Sequence, residues 1–153
     1  MKIEIGPYQE WDAENQEYDI PERKIQVEIH DYDTWNCDVT FCAIIEPMMI
    51  AYKKQNEECG GGSGFIDPAD CPAELGIPEG EVANNAQGQI DANWFERHKW
   101  VVNEIIFAAN AINTDWESRH LGKGYCTPEY DAEQKRIQKG FELFGKYLTL
   151  FWT

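Results

Sequence analysis

Three charged side chains set among apolar neighbours could do chemistry: Asp38, Glu104 and Lys146. Asp38 precedes Phe41 by three residues and Cys42 by four, so a helix places it on the stripe expected to be buried. A buried carboxylate is costly unless it is paired or hydrogen-bonded. Glu104 has Trp100, Val101, Phe107 and Ala108 as helical neighbours, and Lys146 lies in Phe144-Gly145-Lys146-Tyr147. Two carboxylates and an ammonium group are the parts of a divalent-metal or phosphate site. In that arrangement Asp38 and Glu104 hold the ion and Lys146 meets a phosphate. The competing reading is architectural: Asp38 accepts bonds that secure the start of a helix, and Lys146 neutralises one of the acids. Structural ion pairs also occupy such positions, which favours architecture. His98 falls with Val101, Val102 and Ile105 and is expected to be a satisfied core histidine rather than a ligand.

Familiar catalytic and cofactor patterns are missing. The sequence has no H-E-x-x-H and no C-x-x-C pair, and no Ser-His-Asp arrangement can be argued. The run CGGGSG lacks the Lys-Ser/Thr of a phosphate loop and is expected to be a flexible connection. No cofactor is therefore expected, and a divalent metal enters only with the hydrolase or nucleotide-binding alternative.

The elements that must position these residues are legible from periodicity. Residues 24–30, KIQVEIH, alternate as a half-buried strand, and KIEI at 2–5 is its candidate partner. A first helix is expected from about Trp35 to Lys54, with a stripe of Phe41, Cys42, Ile45, Met48, Met49 and Tyr52, kinked at Pro47. A second, apolar nearly all round and so central, is expected from about Asn93 to Glu117. A third begins at Thr127-Pro128 and carries Ile137, Phe141, Phe144, Leu148 and Phe151. Gly140 and Gly145 interrupt it, each costing roughly 1 kcal/mol relative to alanine. Close helix–helix approach is the plain explanation for both; room for a ligand beside Lys146 is the sharper one. The fold class is mostly α (α+β): three long helices packed together, a short N-terminal strand or hairpin, and a long acidic loop.

The chain has 153 residues, enough to bury a core, and one domain is expected. Residues 1–22 are polar and acidic, and residues 55–92 form a long Gly-, Pro- and acid-rich connection. No Lys or Arg occurs from Gln55 to Glu96, and Asp67, Asp70, Glu74, Glu79 and Glu81 are candidate binding residues there. The formal charge of −15 repels nucleic-acid phosphates and anionic membranes, so neither is expected as a direct partner. A protein with a basic surface fits better. The opening MKIEIGPYQEWDAE has no apolar core of a signal peptide, and five cysteines without a C-x-x-C pair suit a reduced cytoplasmic protein.

The stretches DTWNCDVTFCAIIEPMMIAYKK, FIDPADCP, ERHKWVVNEIIFAAN and RIQKGFELFGKYLTLFW together resemble a family of small, uncharacterised acidic bacteriophage proteins. The likeness spans about residues 23–152 and brings no established activity. Its motif positions are Asp33, Thr34, Trp35, Asp38, Trp100, Glu104, Gly140, Phe144, Gly145, Lys146 and Trp152. The chain departs from the pattern at Cys37 and Val39, and at Asn103 and Asn110, where the family has acids. Those two losses weaken a carboxylate metal site and tilt DTWNCD towards a strand-to-helix junction held by buried hydrogen bonds. The resemblance implies a phage accessory protein in the cytoplasm of an infected bacterial host. It would act by binding a host or phage protein, for example as an inhibitor of a defence or nucleic-acid enzyme. A minor virion or assembly component is the third possibility.

Overall fold

A computed structural model describes residues 1–60, 64–82, 89–122 and 127–151. Gly124, Cys126, Trp152 and the centre of the CGGGSG run lie outside these. The chain forms two compact units, Met1–Thr40 and Phe41–Thr153. The architecture is mostly α, with three long helices and a short antiparallel β element at the N-terminal end.

In the first unit, β1 (Lys2–Gly6) pairs antiparallel with β4 (Lys24–Glu28), matching Ile3 to Val27 and Ile5 to Ile25. The alternation that suggested the pairing therefore sets its register, because one face collects every branched aliphatic of the two strands. That face is not half-buried as expected: Ile25 is 67% exposed and Val27 50%. Between these strands, β2 (Glu10–Asp12) and β3 (Glu17–Asp19) form a hairpin with Trp11 and Tyr18 edge to face, ring centroids 5.1 Å apart. Asp12 closes its turn by accepting from the backbone N–H groups of Glu14 and Asn15.

The strand then meets a five-residue helix, α1 (Asp31–Trp35), before α2 (Cys37–Cys59) begins. The cap of α1 is His30: its Nδ1 accepts from Tyr32 N–H, and Asp33 accepts from His30 N–H at 2.8 Å. Asp33 also lies 2.6 Å from the Met1 amino group, and these bonds hold its pKa low. Thr34 donates to the Asp31 carbonyl, and Trp35 is exposed. DTWNCD is thus a hydrogen-bonded junction, but a surface one.

Helix α2 runs five residues past the expected Lys54, with Pro47 inside it, and ends at Gly60 with φ +93, a conformation glycine adopts freely. Its buried residues are Cys42, Ile45, Met49 and Asn56; Phe41 and Met48 are 46% and 61% exposed. The apolar stripe is thus narrower than periodicity suggested. The central helix, α3 (Trp94–Asn113), ends four residues short of the expected Glu117. Asp115 takes a left-handed conformation there, and a 3₁₀ turn, Trp116–His120, follows. Helix α4 (Pro128–Tyr147) starts as read, with the Thr127 hydroxyl accepting from Tyr130 N–H. Its buried line is Ile137, Gly140, Leu143 and Tyr147, while Leu148 is exposed. Val101, Val102, Ile105 and Ala109 of α3 meet Cys42, Ile45 and Met49 of α2 and Leu143 and Tyr147 of α4 in one core, with Trp100 packed against it.

At Gly140 α3 and α4 approach closely: a Cβ there would sit 2.5 Å from the Glu104 carbonyl oxygen and 2.6 Å from Ala108 Cβ. Gly145 differs, since an added Cβ meets nothing within 4 Å, so close approach does not explain it. Gly140→Ala should cost about 1–3 kcal/mol through overpacking, whereas Gly145→Ala should gain roughly 1 kcal/mol. Urea unfolding of the two variants checks the opposite signs.

Candidate functional site

The residues expected to do chemistry are placed apart. Asp38 belongs to the first unit and is exposed. Burial on its helical face begins one turn later, at Cys42, so the phase was right and the extent of the core was not. Glu104 is buried on α3 and paired, not with Lys146, but with Arg136 of α4. The Arg136 Nε and Nη2 donate to its two oxygens at 2.8 Å each. Phe107 backs the guanidinium, 3.7 Å from its ring centroid, and the carboxylate holds the Arg136 pKa up. Arg136 and Gly140 share one face of α4, one turn apart, so the ion pair and the close approach form one lock between α3 and α4.

Lys146 sits ten residues beyond Arg136, about 15 Å along the helix. It donates to Asp70 at 2.5 Å and lies 3.9 Å from Asp67. Glu104 and Lys146 therefore serve separate contacts. Among the described residues no group of three or more His, Cys, Asp and Glu side chains is placed to hold a metal ion. Asn110, at one of the positions where the phage motif has an acid, donates with Asn113 to Glu46 of α2, at 2.7 and 2.5 Å. The amides thus bridge α2 to α3, where a carboxylate at 110 would repel Glu46.

Part of the acidic connection is tied to α4. Tyr147 donates its hydroxyl to Asp70 and accepts from Asp67 N–H at 3.0 Å, while Lys139 lies 3.5 Å from Asp70. Burial opposes ionisation of Asp70, but the bonds from Lys146 and Tyr147 outweigh it and keep its pKa low. Burial, aided by donation to Asp70, pushes the Tyr147 phenol up to about 12. Asp67 caps a short turn through Ala69 N–H, and Glu81 accepts from Ala92 N–H at 2.8 Å. Of the five candidate binding acids, Glu74 and Glu79 remain exposed without such a task among the described contacts.

Two features were not anticipated from the sequence. Arg97 and Asp91 form an ion pair whose side chains are both 0% exposed, with contacts of 2.6 and 2.9 Å. His98 is buried as expected, yet it lines a cavity between α2 and α3 and lies 3.0 Å from the Tyr52 hydroxyl. Burial lowers its pKa, so the ring is held neutral. The signal was there in part: Tyr52 and Asn56 prolong the apolar stripe of α2 with hydrogen-bonding groups. Among the described residues no helix is long and apolar enough to cross a membrane. Compared with protein-family models, curated proteins and solved structures, the chain matches none.

The Tyr147 contacts have a pH signature. Its folded pKa lies above the ordinary value of 10.0, so their contribution is complete below pH 10 and is lost as pH rises towards about 12. Asp70 has the opposite sign: its contribution is present above 3.8 and is lost as pH falls through its depressed folded value. Tyr147→Phe should cost about 1–3 kcal/mol near neutrality and flatten the alkaline limb. Denaturant midpoints measured between pH 7 and 11 check both effects.

Proposed function

We propose that this chain acts by binding another protein, one with a basic surface that also carries an apolar patch, through its N-terminal unit. The observation that carries the reading is the uncovered sheet face of Ile3, Ile5, Ile25 and Val27. It lies in a unit with eleven carboxylates and three lysine or arginine side chains. A two-stranded sheet gains little stability alone, and covering such a face is worth about 1.5–3 kcal/mol for each fully buried aliphatic.

The charge pattern supports the same partner chemistry. Across β2 and β3, Glu10 faces Asp19 and Asp12 faces Glu17. Like charges directly opposite destabilise a ladder, and basic side chains docked beside them would relieve the repulsion. The acidic field also speeds encounter with a basic partner and disfavours nucleic acid. The phage resemblance supplies the setting: an accessory protein in the cytoplasm of an infected bacterium, bound to a host or phage protein. A surface of this charge competes with DNA for a basic groove, so inhibition of a host defence or nucleic-acid enzyme is its most concrete form.

The test is capture from host lysate at low and physiological salt with the wild type and the double variant Ile5→Ser/Ile25→Ser. The captured protein is then purified and titrated. A saturable partner is expected, binding more weakly as salt rises and at least about tenfold more weakly to the variant, the factor that 1.4 kcal/mol of lost contact produces. No saturable partner at either salt, or equal binding of the variant, would overturn the proposal.

A further inference from the structure

We propose that the cavity between the end of α2 and the first turns of α3 binds a small, uncharged heteroaromatic molecule of nucleobase type. The site lies wholly within the second unit and is independent of the protein-binding face on the first. Size comes first. The cavity measures about 270 Å³, just below the range of about 300–1,000 Å³ that drug-sized ligands occupy. One or two fused rings fit that volume.

The charge of the occupant follows from the walls. Lys53 and Lys99 at the rim are matched by Glu57 and Glu96, which leaves no net charge to satisfy. The two buried polar residues of the lining are neutral: the Asn56 carboxamide and the His98 ring, held neutral by burial with its Nε2 3.0 Å from the Tyr52 hydroxyl. An ionic ligand would be desolvated there without a counter-charge.

Hydrogen bonding narrows the class. Asn56 is 6% exposed and lines the cavity, yet its Nδ2 has no hydrogen-bond partner among the described residues. The carboxamide lies beside the Tyr52 hydroxyl and favours its ionised form against the raising effect of burial, but it makes no bond of ordinary geometry to it. A buried donor left unpaired is costly, and a ligand acceptor removes that cost. Nδ2 is sealed as placed, and the broad terminal torsion of asparagine allows the carboxamide to turn and present it to a ligand. An amide offers a donor and an acceptor side by side, the pattern that pairs with the edge of a nucleobase. Phe95, half exposed on the cavity wall, offers a face for the ring. The acidic chain disfavours a base presented within a nucleic-acid strand, so the occupant is a free base or nucleoside.

The test is a ¹H–¹⁵N titration of the full chain with adenine, cytosine, adenosine and adenosine monophosphate, each to millimolar concentration. At least one uncharged ligand should give saturable shifts confined to residues 52–60 and 94–102, with the monophosphate weaker than adenosine. Phe95→Ala and Asn56→Leu should each bind about tenfold more weakly. Phe95 is half exposed, so its removal leaves the core intact and keeps the test decisive even if Asn56→Leu disturbs α2. No saturable shift with any uncharged ligand, shifts centred elsewhere, tighter binding of the monophosphate, or wild-type affinity in Phe95→Ala would each overturn the proposal.

Discussion

The buried pair of Arg97 and Asp91 is the constraint on which the second unit depends. Both side chains are sealed from solvent in the first turn of α3 and the residues just before it. The guanidinium binds both carboxylate oxygens, and its Nη1 also donates to the Leu75 carbonyl at 3.1 Å. Asp91 in turn accepts from Asn93 N–H, and Asn93 donates to the Glu74 and Gly76 carbonyls. One arginine thus ties the helix start, the residues before it and a loop some twenty positions earlier. Bonding to Arg97 keeps the Asp91 pKa low despite its burial. Such a pair adds little net stability over an apolar substitute, but removing one partner strands a charge and costs about 3–5 kcal/mol.

That constraint explains why the acidic connection is not simply a solvated tail. Arg97 and Asn93 hold its middle, Tyr147 and Lys146 hold Asp67 and Asp70, and Ile66 is buried in the core between them. Residues 64–76 are irregular in backbone yet packed as part of the unit. Asp67, Asp70, Glu81 and Asp91 are therefore spent on architecture, while the first unit carries eleven carboxylates against three basic side chains. There the balance is reversed: an apolar sheet face lies open, and acids face acids across a hairpin.

The sequence carried the periodic parts of this structure well. Alternation in KIQVEIH fixed both a strand and its partner, and Thr127-Pro128 marked a helix start to the residue. The all-round apolar character of α3 correctly made it central. What it did not carry were facts set by partners distant in the chain. Asp38 has the helical phase of a buried residue, but phase does not say where a core ends. Glu104 needed a cation, and local spacing gave no reason to choose Arg136 over Lys146; only the close approach at Gly140 selects it. Arg97 reads as one of several polar residues in ERHKW. Its sole hint was negative: it ends a stretch of more than forty residues with no lysine or arginine.

The account turns on how far the connection before α3 depends on that buried pair. Amide hydrogen exchange of the full chain with Asp91→Asn measures this directly. The prediction is that residues 64–76 lose protection by at least about a hundredfold, as a loss of about 3 kcal/mol or more requires, while the centres of α3 and α4 keep theirs. If residues 64–76 exchange as slowly as in the wild type, or if the helices lose protection in step with them, the pair does not hold the connection and the account is wrong.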